Sequence, residues 1–105
     1  MITKQQRTAL RSLAQNLPDL VYIGKGDITD NVVKQVNDNL YAHEIIKIKV
    51  QDNTSLTIEE ICKELESRCA CETVTVIGSK IVLYKQSKKP TSRGLQAVRE
   101  IMGNK

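Results

Sequence analysis

The sequence predicts a single α/β domain with the element order α-β-α-β-α-β-β, one mixed sheet and helices packed on it. Three observations predict this class. A chain of 105 residues, 40% of them hydrophobic, has the length of one domain and can bury a core without disulfides or metal. Its apolar residues switch between helical spacing and strand alternation from segment to segment. The strand-helix-strand units that result favour right-handed crossovers within a common sheet.

Thr3 opens the first helix, because Thr3 and Gln6 have the spacing of a capping box. Leu10, Leu13, Ala14 and Leu17 form its apolar stripe, and Lys4, Arg7 and Arg11 a basic stripe beside it. Pro18 ends the helix by forcing its predecessor out of helical geometry. Leu20 to Ile23 reads as a short apolar strand. The stretch that follows, Y-I-G-K-G-D-I-T-D-N-V-V-K-Q-V from Tyr22 to Val36, joins this strand to a glycine loop and a capped helix. Thr29 is the expected N-cap, Asp30 complements the helix dipole, and Ile28 with Val33 can form a hydrophobic staple. Val32, Val33, Val36 and Leu40 fall on one helical face, and the helix runs to about Ala42, with His43 at its end.

Ile46, Ile48 and Val50 alternate with Lys47 and Lys49, which predicts a strand with one apolar face and two lysines about 7 Å apart on the other. Thr57 and Glu60 make a second capping box. The acidic helix that follows buries Ile58, Ile61, Cys62 and Leu65 and runs to about Arg68. Thr73 to Ile77 and Lys80 to Lys85 form a hairpin across Gly78-Ser79, a pair suited to a type II′ turn. That turn pairs Ile77 with Lys80, Val76 with Ile81, Val74 with Leu83 and Thr73 with Tyr84. It places Val74, Val76, Ile81 and Leu83 in the core. If helices cover only the apolar face, Lys47, Lys49, Lys80 and Tyr84 share an open one. Residues 1–86 are the expected domain, and 87–105 a basic linker followed by a short amphipathic tail helix carrying Leu95, Val98, Ile101 and Met102.

The composition narrows the function classes. A formal charge of +4 suits an anionic partner without requiring one. No stretch is long and apolar enough for a membrane span, and the N-terminus lacks an apolar signal core, so a cytoplasmic location is expected. Cys62, Cys69 and Cys71 lack the paired C-x-x-C pattern of a zinc site and read as reduced, buried or half-buried thiols. His43 is the only histidine, and no catalytic motif accompanies it, so neither catalysis nor a cofactor or metal is expected. With no Trp or Phe, RNA recognition by a multi-aromatic stacking platform is also disfavoured, and contact with backbone phosphates is the stronger expectation.

Gly24 and Gly26 permit positive φ and close approach, and Lys25 sits beside the free N–H groups of a helix start, so the loop is a candidate phosphate cradle. The plainer alternative is a turn whose glycines serve geometry alone.

Four motifs together resemble one family. They are T-K-Q-Q-R-T-A-L-R-S-L-A from Thr3, I-G-K-G-D-I-T-D-N-V from Ile23, E-I-I-K-I-K-V from Glu44 and V-I-G-S-K-I-V-L-Y-K from Val76. In order and spacing, from Thr3 to about Lys85, they resemble the bacterial stand-alone CRM domain proteins (chloroplast RNA splicing and ribosome maturation, the YhbY-like family). The resemblance implies a four-stranded mixed sheet with helices on one face, similar to the C-terminal domain of bacterial translation initiation factor three. It also implies RNA binding and association with precursors of the large ribosomal subunit. The family's loop carries a G-x-x-G pattern that clamps a nucleic-acid backbone. Gly24, Lys25 and Gly26 carry over; the fourth position is Asp27, whose charge would repel a phosphate and whose Cβ limits approach, or which could instead support the next helix cap. The tail helix lies outside the family pattern.

The resulting expectation is a non-catalytic RNA-binding protein acting on ribosomal RNA or the pre-large-subunit particle. Gly24, Lys25 and Gly26 would approach the backbone, and Arg7, Arg11, Lys47, Lys49 and Lys80 would supply charge. The alternative is a protein-interaction adaptor that uses the open sheet face or the tail helix. A thiol enzyme is a third reading and would need an unusually reactive cysteine. The sequence leaves the oligomeric state open.

Overall fold

The computed structural model describes residues 2–86; the linker and tail helix expected over 87–105 lie outside the described residues. The order is α1 (Lys4–Ala14), β1 (Asp19–Ile23), α2 (Asp30–His43), β2 (Ile45–Val50), α3 (Ile58–Cys69), β3 (Glu72–Ile77) and β4 (Lys80–Tyr84). The strands form one mixed sheet in the order β1-β2-β4-β3. β1 runs parallel to β2, and β4 runs antiparallel to both of its neighbours. The α/β class, the element order and the mixed four-stranded sheet are those expected.

The helix starts are set by threonine caps. In α1 the Thr3 hydroxyl accepts from the Gln6 N–H at 3.1 Å, and the Gln6 side chain accepts from the Thr3 N–H at 2.9 Å. Thr57 and Glu60 repeat this box in α3. Thr29 caps α2 by accepting from the Val32 N–H at 3.1 Å. The ends differ in device. Helix α1 stops at Ala14 and passes through turn hydrogen bonds before Pro18 is reached. Helix α2 ends at His43, where Glu44 takes a left-handed φ of 64° and donates its N–H to the Leu40 carbonyl. That single residue carries the chain straight into β2.

One core lies between the sheet and the helix pair α2/α3. Val21, Ile23, Ile46, Ile48, Ile81 and Leu83 from the strands meet Val36, Leu40, Ile61 and Leu65 from the helices. The expectation of helices on one face holds for α2 and α3. Helix α1 differs: Leu10 and Ala14 pack on the reverse face against Ile45, Val74, Val82 and Tyr84. The alternation of β2 and β4 shows this directly, because Ile46 and Ile81 point into the first core while their neighbours Ile45 and Val82 point into the second. Tyr84, expected on an open face, is therefore only 7% exposed.

The hairpin register is corrected by a bulge. Ile77 pairs with Lys80 and Val76 with Ile81, as the two-residue turn requires, and Gly78 has the positive φ of 59° that a type II′ turn demands there. Beyond that point Thr75 pairs with Val82 and Thr73 with Leu83, leaving Val74 as an extra residue. The insertion turns Val74 from the expected α2/α3 core to the α1 core. Val76, also expected in the core, is 42% exposed on the edge strand. Arg7 completes the bulge, its guanidinium donating to the carbonyls of Thr73 and Val74 at 2.6 Å each. A bulge whose carbonyls are met by a side chain 66 residues away carries no local signal in a hairpin pattern.

Candidate nucleic-acid interface

Three loops meet at one end of the sheet, where β1 and β2 both finish: the glycine loop after Ile23, the loop from Gln51 to Thr57, and the hairpin turn at Gly78-Ser79. Two backbone bonds bring them together. The Gln51 N–H donates to the Ile23 carbonyl at 2.7 Å, and the Val50 N–H donates to the Ser79 carbonyl at 2.8 Å. The carboxyl ends of parallel strands are where open α/β sheets commonly bind ligands, because the flanking loops diverge there.

Gly24 to Asp27 is a hydrogen-bonded turn, closed by the Asp27 N–H donating to the Gly24 carbonyl at 2.9 Å. Gly26, at the third position, has φ 97°, the value that makes glycine the default in a type II turn. Lys25 sits exposed at the second position and makes no ion pair or hydrogen bond with any described residue. Gly24 lies beneath the side-chain amides of Gln51 and Asn53, and a Cβ there would overlap the Gln51 amide.

Asp27 stands where the family pattern has its second glycine, and it keeps a left-handed φ of 56°. Its carboxylate is turned away from the loop tip. One oxygen accepts from the Ser55 N–H at 2.8 Å and the other from the Ser55 hydroxyl. The hydroxyl bond is the larger cause, and together they hold the carboxyl below its usual range. So Asp27 fastens the glycine loop to the loop before α3. It does not cap α2, which Thr29 does. The second carboxylate at the loop, Asp30, is paired with Arg68 at 3.0 Å. Both acids of the Gly24–Asp30 segment therefore have partners.

On the reverse face, Tyr22, Lys49, Lys80 and Ile77 form one row across the four strands. Lys47 lies in the next row, between Asp19 and Val82. Lys49 donates to the Ser79 hydroxyl at 2.6 Å, and Lys80 pairs with Asp19 at 3.2 Å. A shallow depression of about 410 Å³ is lined by Lys49, Gln51, Asp52 and Asn53, and the Gln51 and Asn53 side chains also lie against Gly24.

The structure thus brings Gly24, Lys25 and Gly26 together in one turn, and Lys47, Lys49 and Lys80 together on one face. Arg7 and Arg11 are exposed on α1, which packs at the Ile45 end of that face, but the Arg7 guanidinium is committed to the Thr73 and Val74 carbonyls. Two features were missed from sequence. The Asp27–Ser55 bridge spans 28 positions and has no sequence signal. Tyr22 has one: strand alternation around buried Val21 and Ile23 sends it to the lysine face, a signal hidden by reading Leu20 to Ile23 as uniformly apolar.

The cysteines behave as the sequence suggested, free, with Cys69 and Cys71 buried and Cys62 half-buried. Burial raises all three thiols, Cys71 to about 12. A thiol held protonated at neutral pH is a poor nucleophile, which disfavours the thiol-enzyme reading. No helix among the described residues is long and apolar enough to cross a membrane.

Comparison with known proteins decides the family. The CRS1 / YhbY (CRM) domain profile matches residues 2–85. The chain belongs to the CRM domain family. It is 37% identical over 89 residues to a Bacillus subtilis protein named "Probable RNA-binding protein YqeI", across 85% of this chain and 93% of that one. It is 28% identical over 88 residues to a Haemophilus influenzae protein named "RNA-binding protein", across 84% and 89% of the two chains. The solution structure of the Staphylococcus aureus protein SAV1595 superposes with a TM-score of 0.72 at 42% identity, covering 85% of this chain and 93% of that one. This CRM domain therefore shares its fold, and nearly its full length, with relatives named for RNA binding.

Proposed function

We propose that this CRM protein binds RNA without catalysing a reaction, gripping the phosphate backbone with the Gly24-Lys25-Gly26 turn, and that its target is ribosomal RNA in a precursor of the large subunit, in the cytoplasm. The observation that carries the reading is the state of the loop. Lys25 stands exposed and unpaired on a turn whose one carboxylate is hydrogen-bonded to Ser55, so an incoming phosphate meets a cation and a glycine backbone at the tip. Lys47 and Lys49 extend positive charge from the turn along the sheet, and the names of the relatives favour RNA over other polyanions.

The test is a salt titration of ribosomal RNA binding by the wild type and by Lys25→Glu combined with Lys47→Glu. Each lysine on a phosphate contributes about one to the slope of log K against log salt, so the double variant loses about two and binds more weakly at every salt concentration. Unchanged binding at low salt removes the proposed surface. Sedimentation of cell lysate on a sucrose gradient tests the target: migration with free large-subunit particles, lost as salt rises, is expected.

A second reading, a protein-interaction adaptor, is favoured by Val76 and Ile77, each 42% exposed on the edge strand β3. An adaptor would retain little RNA at any salt concentration.

A further inference from the structure

We propose that Tyr22 is a stacking platform for an unpaired base, so that the face bearing Lys47 and Lys49 takes single-stranded RNA; the proposal rests on the RNA-binding reading above. Tyr22 is the penultimate residue of the edge strand β1, between two fully buried residues, Val21 and Ile23, yet is itself 55% exposed. The neighbours on either side fix its backbone in the sheet, so the ring is presented from a rigid element. Its cross-strand partner is Lys49, with Lys80 one strand further on. Neighbouring strands lie about 5 Å apart, so a base on the ring places its phosphate within reach of an ammonium. Lys25 follows three residues later, at the loop tip. The depression that begins at Lys49 is lined by the amides of Gln51 and Asn53, which can donate to and accept from a base edge, and by the Asp52 carboxylate, which can accept from a base amino group.

The chemistry specifies the ligand. An aromatic ring flanked by cations takes a π-face with a phosphate attached, which is a nucleotide. A base in a duplex is already stacked on both sides and cannot lie on a ring fixed in a sheet, so the nucleotide must come from a single strand, loop or bulge. Helix α1 covers the Ile45–Tyr84 end of this face and leaves the Tyr22 end open. A single aromatic gives one stacked base with little sequence preference, and phosphate contacts supply the rest.

The experiment is a fluorescence-anisotropy titration of the full chain with a labelled, short unstructured RNA of mixed A and U. A strand of the same length with its bases removed serves for comparison, and urea unfolding midpoints confirm that each variant is folded. Tyr22→Ala should weaken binding by about 5- to 150-fold, the range for loss of one base–aromatic stack, with the salt slope unchanged because no phosphate contact is lost. Tyr22→Phe should bind as the wild type does, and the base-free strand should bind the wild type as weakly as the intact strand binds Tyr22→Ala. Equal binding by Tyr22→Ala and wild type, an equal loss in Tyr22→Phe, or equal affinity for the base-free and intact strands would each overturn the proposal. A wild type that binds structured ribosomal RNA but not the single strand overturns stacking alone. A wild type that binds neither overturns the RNA-binding reading with it.

Discussion

On the α2/α3 side of the sheet, Val21, Ile23, Ile46, Ile48, Ile81 and Leu83 meet two helices along the length of the strands, and none of them is exposed. On the α1 side, one helix covers Ile45, Val74, Val82 and Tyr84 and leaves Tyr22 exposed, with Lys47, Lys49 and Lys80 half-buried. The same four strands thus carry a closed face that holds the fold and a divided face that holds it only at one end. The division follows from side-chain chemistry. Lysine stems can lie along a sheet while their ammonium groups stay in water, so a helix has nothing to gain by covering them. What remains open is the end where three loops converge, so the surface least needed for stability adjoins the glycine turn.

The largest effect that separates the faces is expected at Ile48. Ile48→Ala deletes a fully buried side chain on the closed face and should cost about 2–5 kcal/mol in urea unfolding. Lys47→Ala, its neighbour on the open face, should leave the midpoint within about 0.5 kcal/mol of wild type. A comparable loss at Lys47 would break the distinction.

The next effect probes the closed end of the divided face. Arg7→Ala leaves the Thr73 and Val74 carbonyls without their guanidinium donor and should destabilise by about 1–2 kcal/mol, measured the same way. Arg11→Ala, one turn further along α1, should change stability little, so the pair separates a basic residue tied to the bulge from one that is not. Smaller again is Thr29→Ala. It removes the α2 cap beside the glycine turn and should cost about 1 kcal/mol.

The smallest effect sharpens the account of the loop end. The Asp27 carboxyl is held below its ordinary value of 3.8, so its ionised form is favoured by folding. Its stabilisation is fully present above that ordinary value and is lost as pH falls through the lower folded value. Asp27→Asn should therefore lower the urea midpoint slightly at neutral pH, with the gap to wild type closing in acid. A gap that persists unchanged in acid would show that the carboxylate charge does not hold Ser55.

Much of this was legible in the sequence because it was local. Thr3 with Gln6, Thr57 with Glu60, and Thr29 before a valine-rich helix each declare a helix start through bonds spanning three residues. The alternation from Ile45 to Val50 declares a strand with lysines on one side. The Gly24-Lys25-Gly26 turn and the Gly78 hairpin declare themselves by the positive φ they need. The faces of the sheet were another matter. Helix α1 has an apolar stripe that fits either face, and only the competition for space against α2 and α3 sends it to the reverse side.

Sequence alone determined the α/β class, the element order, the caps and the lysine-bearing loop, because each rests on contacts within a few residues or on a simple repeat of polarity. Tertiary structure decided the rest: the bulge that turns Val74 over, the use of Arg7 to hold it and the fastening of Asp27 to Ser55. Each of these depends on which distant segment arrives alongside, and a residue's partners across a sheet or between loops are fixed by packing of the whole chain, which no local pattern encodes.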